Sequence, residues 1–101
     1  MNDVQELEGW RLEDLSPTVL YDIFYENGTI LGGWLVDLER RAQAVGNQAL
    51  AKQCKQERMA MRREREAVGA FDRDAQIACI LKWQARRAEI DELYPDERTD
   101  I

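Results

Sequence analysis

The sequence predicts an all-α protein, a three-helix bundle of long antiparallel helices over about 17–45, 48–68 and 73–94, with a short N-terminal arm or helix. Three observations carry that prediction. Apolar residues recur at helical steps through each long segment. Recognisable start and stop residues separate the segments, and a composition of 45 % apolar and 34 % charged residues is typical of small soluble helical proteins.

The first long segment anchors the rest. Leu20, Phe24, Asn27, Leu31, Trp34, Leu38 and Val45 form one seam, and Tyr21, Tyr25, Gly28, Gly32 and Leu35 form a second stripe beside it. Ser16 followed by Pro17 is a strong helix start, since the hydroxyl caps first-turn amides and proline stands where no amide is needed. Asn27-Gly28 is turn chemistry, but the seam keeps its register across it, so a continuous helix is expected. Gly28, Gly32 and Gly33 would then each cost roughly 1 kcal/mol relative to alanine, which suggests a place where something approaches closely.

Gly46-Asn47 ends this helix and caps the next. The second helix has a narrow apolar face of Leu50, Cys54, Met61 and Val68, with Ala60 and Ala67 beside it. Its other faces carry Lys52, Lys55, Arg58, Arg62, Arg63 and Arg65, read as a solvated surface because Glu57, Glu64 and Glu66 are interspersed. Gly69 stops the helix and Asp72 caps the third, which Pro95 terminates. On the third helix Ile77, Ile80, Leu81, Ala85 and Ala88 are expected as the buried face. Trp83, Ile90 and Tyr94 form a surplus stripe available to something else.

By region the chain divides into an acidic N-terminal arm over 1–15, a helical bundle over 16–95 and a polar tail over 96–101. At 101 residues it is one domain with a thin core. The net charge of -6 is uneven: residues 1–47 hold nine acids and three bases, residues 48–68 three acids and six bases. An acidic total disfavours nucleic acid as the main partner and favours a protein with a basic surface. No apolar run reaches the ~20 residues of a membrane span. There is no start-of-chain signal pattern, so a cytoplasmic location is expected. Cys54 and Cys79 lie in helical sequence and are expected as reduced, buried thiols.

Catalytic chemistry is poorly supplied. With no histidine, the commonest general base and metal ligand is missing. Two cysteines are too few for a zinc site without histidine. Gly32-Gly33 has no phosphate-loop pattern after it. No enzyme, cofactor or metal is therefore expected.

What remains is contact. The expected role is a protein-binding inhibitor, an antitoxin-like antidote that occludes the active cleft of a dedicated partner, of kinase type or another enzymatic toxin. The residues expected to meet the partner are Trp10, Asp14, Tyr21, Asp22, Tyr25, Glu26, Gly28, Gly32, Trp83, Ile90 and Tyr94. The alternative is a self-associating structural or adaptor protein, for example from a phage or mobile element, in which the same stripes meet copies of themselves.

Overall fold

A computed structural model of the chain describes residues 12–95, and these form a helical bundle. Its long helices are α1 (Pro17–Ala44), α2 (Gln48–Ala67) and α3 (Arg73–Leu93), preceded by a helical turn over residues 12–14. Each start follows from a side chain that satisfies an otherwise orphaned amide. Ser16 accepts from the Val19 amide at 3.3 Å, Asn47 from Leu50 at 3.1 Å and Asp72 from Ala75 at 3.3 Å. Gly46 ends α1 at φ 76, a left-handed conformation that other residues adopt at a cost.

α1 runs unbroken through Asn27-Gly28. Asn27 is buried there and turns its polarity inward, donating from Nδ2 to the Ile23 carbonyl at 2.8 Å, while Arg87 Nη2 donates to its Oδ1 at 3.1 Å. A polar residue can thus occupy a core seam without an unsatisfied amide.

α1 is the central element, with α2 packed along one flank and α3 along the other. Arg58 on α2 bonds Glu39 on α1 at 3.2 Å, and Arg65 bonds Tyr25 and Thr29, so α2 runs antiparallel to α1. α3 runs parallel to α1 and is tied to it at both ends. At the start, Arg73 donates to the carbonyls of Leu12, Glu13 and Leu15. At the finish, Arg41 donates to the carbonyls of Tyr94 and Pro95 at 3.0 and 3.2 Å.

The core joins Leu12, Leu20, Phe24, Leu31, Leu35 and Leu38 to Cys54 and Met61 of α2 and to Cys79, Ile80, Trp83 and Ile90 of α3. Phe24 and Trp83 stack with ring centroids 5.4 Å apart. Gln76 is buried with them, its Nε2 donating to the Gly69 carbonyl at 2.8 Å, which fixes the α2–α3 turn. Both cysteines are free and buried.

Four expectations about faces need correction. On α3 the buried stripe is Gln76, Cys79, Ile80, Trp83 and Ile90, whereas Leu81, Ala85 and Ala88 point outward. Trp83 and Ile90, expected as surplus, are 2 % and 1 % exposed and belong to the core, and Tyr94 is half-buried against it. On α1, Trp34 sits at the seam's edge at 37 % exposure and Val45 lies beyond the helix at 80 %, while Leu35 is enclosed. On α2, Ala51 is buried and Ala60 and Ala67 are exposed.

Candidate functional site

The exposed flank of α1 near its start carries four of the expected contact residues together. Tyr21, Asp22, Tyr25 and Glu26 fall at positions i, i+1, i+4 and i+5, which places them on adjoining stripes of one helix. With Thr29 they line a shallow cleft of about 440 Å³. The Tyr21 and Tyr25 rings lie 6.1 Å apart and tilted at 38°, and Tyr21 leans on the buried Phe24 at 5.8 Å, which holds the pair against the core. Tyr25 is 47 % exposed. Asp22 and Glu26 are exposed, and neither is ion-paired or hydrogen-bonded through its side chain to another described residue.

α2 completes one side of this site. The Arg65 guanidinium lies 3.9 Å from the Tyr25 ring centroid, and its Nη1 donates to the Tyr25 carbonyl at 3.0 Å and to Thr29 Oγ1 at 2.9 Å. This is a cation-π contact reinforced by two hydrogen bonds. It is possible because residue 28 is glycine: a Cβ there would stand 3.0 Å from Arg65 Cδ and 3.2 Å from Met61 Sδ. The expected open notch at Gly28 and Gly32 is therefore filled from within. Met61 occupies it at both glycines, its Cε 3.3 Å from a Cβ built at Gly32, so the glycines serve the α1–α2 packing.

Of the other expected contact residues, Asp14 is exposed on the turn before α1 and does not line the cleft. Trp83, Ile90 and Tyr94 are enclosed or half-enclosed by the bundle, as above, and offer no free stripe. Trp10 lies outside the described residues.

A second depression of about 490 Å³ opens between α2 and α3, over Leu31, Ala60, Met61 and Trp83. Its charged rims are already matched. Arg86 bonds Glu57 at 2.7 and 2.9 Å and also pairs with Glu89, and Lys82 pairs with Glu64. The bonds to Glu57 strengthen the hold of Arg86 on its proton. The α1 cleft differs in that its carboxylates are unmatched among the described residues.

Sequence reasoning missed Thr29 and Arg65. The only signal was Gly28, whose missing side chain indicates that something crosses without saying what. Among the described residues no group of three or more His, Cys, Asp or Glu could hold a metal ion, and no helix is long and apolar enough to cross a membrane. Comparison with protein-family models, curated proteins and solved structures returned no match. Fold and surface thus define the class as a small helical bundle with an aromatic, acidic face.

Proposed function

We propose that the chain is a non-enzymatic protein-binding inhibitor, an antitoxin-like antidote that covers the active cleft of a dedicated partner with a basic surface. The observation that supports this reading is the α1 face, where Tyr21 packs against the core, Tyr25 is held between Tyr21 and Arg65, and the carboxylates of Asp22 and Glu26 beside them are unmatched among the described residues. Rigid, partly exposed tyrosines lose little entropy on docking and often dominate interface energies. Unpaired acids beside them steer a basic partner and set its orientation. Inhibition requires no catalytic group, in keeping with a sequence that has no histidine.

The test is functional. The adjacent cotranscribed reading frame is expressed alone and then with this chain. A toxic neighbour rescued by the wild type, but not by a Tyr25→Ala, Glu26→Lys double variant that remains folded, is the expected result. A harmless neighbour, or rescue untouched by the variant, removes the antidote reading.

One observation favours a second reading, a self-associating structural or adaptor protein. The outward stripe of α3, with Leu81 46 % exposed and Ala85 and Ala88 following it, is apolar and uncovered by any described element. A stable homo-oligomer by mass measurement, abolished by Leu81→Glu, would favour that reading.

A further inference from the structure

We propose that the cleft lined by Tyr21, Asp22, Tyr25, Glu26 and Thr29 is a guanidinium-binding site, its ligand an arginine side chain of the partner protein. This assignment rests on reading the α1 face as a docking surface and goes beyond it by naming the group received. Asp22 and Glu26 line the cleft and have no cationic partner among the described residues, whereas the carboxylates around the α2–α3 depression are matched.

Two aromatic rings with centroids 6.1 Å apart line the cleft, too close together to admit a group between them, and a planar, weakly hydrated guanidinium stacks on such an aromatic surface while a compact ammonium keeps its water. A guanidinium on the rings also presents its N–H groups in its own plane, where a flanking carboxylate accepts two of them at once.

The molecule already contains one such contact. Arg65 lies over one face of the Tyr25 ring at 3.9 Å and anchors through two hydrogen bonds to the same helix. Tyr25 nonetheless remains 47 % exposed and lines the cleft together with both acids. Arg65 also orders the ring, so that a second guanidinium meets a surface that is already in place.

The experiment uses the full-length chain labelled with nitrogen-15 at physiological ionic strength. It is titrated with three capped pentapeptides of alternating glycine with arginine, lysine or citrulline, the last being the neutral shape-mimic of arginine. The arginine peptide is expected to shift the amides of Tyr21, Asp22, Tyr25, Glu26 and Thr29, with the lysine peptide about fivefold weaker and the citrulline peptide silent. An Asp22→Asn, Glu26→Gln double variant, both changes being at exposed positions, should weaken the arginine peptide by a similar factor. Equal binding of arginine and lysine overturns the guanidinium assignment but leaves an acidic docking surface standing. Silence of all three peptides overturns the site itself. Shifts at these residues on concentrating the chain alone would mean that a second copy is the occupant, which also overturns the proposal. The rescue experiment reports separately on the antidote reading, which can fail while arginine binding holds.

Discussion

Arg87 reaches from α3 to α1 and donates from Nη2 to Asn27 Oδ1 at 3.1 Å, while Asn27 commits its own Nδ2 to the Ile23 carbonyl. One buried amide thus satisfies its own helix and fixes the axial position of another. Such a pair specifies register more than it adds stability, because both groups were hydrogen-bonded to water before folding.

Asn27→Leu should therefore destabilise the protein by about 1–3 kcal/mol, mainly by leaving the Arg87 guanidinium without its acceptor. Adding Arg87→Met should recover most of the loss. Urea unfolding of the two single variants and the double variant measures the coupling. Simple additivity would show that the hydrogen bond is not the cause.

The glycines should rank by what surrounds them. Gly33 faces open space, so Gly33→Ala should stabilise by about 1 kcal/mol through helix propensity alone. Gly32→Ala should gain less, since the Met61 methyl must shift slightly. Gly28→Ala should be the least favourable of the three because Arg65 Cδ and Met61 Sδ both crowd the new carbon. Gly46→Ala, at φ 76, should cost about 1 kcal/mol. Denaturation midpoints test the order, and a Gly28→Ala gain equal to that of Gly33→Ala would refute it.

Trp83→Ala should cost about 3–5 kcal/mol, the range for emptying a large aromatic site in a core. Trp83→Phe should cost less, because the stack on Phe24 can persist. Calorimetry distinguishes this from a docking role, in which Trp83→Ala would leave the melting temperature unchanged.

Both thiols should be inert and neutral at neutral pH. Burial is the first cause that raises Cys54 and Cys79 above the ordinary 9.0, followed by Glu57 and Glu39 for the former and Glu64 for the latter. As pH rises past that ordinary value, the unfolded chain loses thiol protons before the native one does. The thiol contribution to stability is thus complete below it and is lost as pH climbs through the raised native values. Alkaline unfolding curves should show this loss in the wild type, and a Cys54→Ala, Cys79→Ala variant should lack that component. A colorimetric thiol reagent should react with both cysteines only under denaturing conditions.

Helix boundaries were legible because they are written in local chemistry. Ser16-Pro17, Gly46-Asn47 and Asp72 cap through bonds spanning three residues, and the helices end within one residue of the positions they imply. The buried face of α3 was not. Periodicity reveals that a helix has two apolar stripes but not which meets the core, and the inner stripe was disguised by Gln76, whose Nε2 donates to the Gly69 carbonyl. Trp34 and Leu35 are neighbours in sequence on the two apolar stripes of α1, about 100° apart around the helix, and packing between three helices decided which was enclosed. For the candidate site, the α1 residues could be read because one helix sets their spacing. The part supplied by Arg65 could not, since it depends on how α2 crosses α1.

The placement of α1 between its two neighbours also bears on how the chain assembles. α1 and α2 are joined through Val45, Gly46 and Asn47, so their pairing closes a short loop. The ties of α3 link positions 53 to 61 residues apart, a larger entropic closure. The hairpin of α1 and α2 is thus expected to form first and present Phe24 and Leu31 as a template. Because Arg65 and Tyr25 both belong to that hairpin, the ring under its guanidinium would be in place before α3 docks.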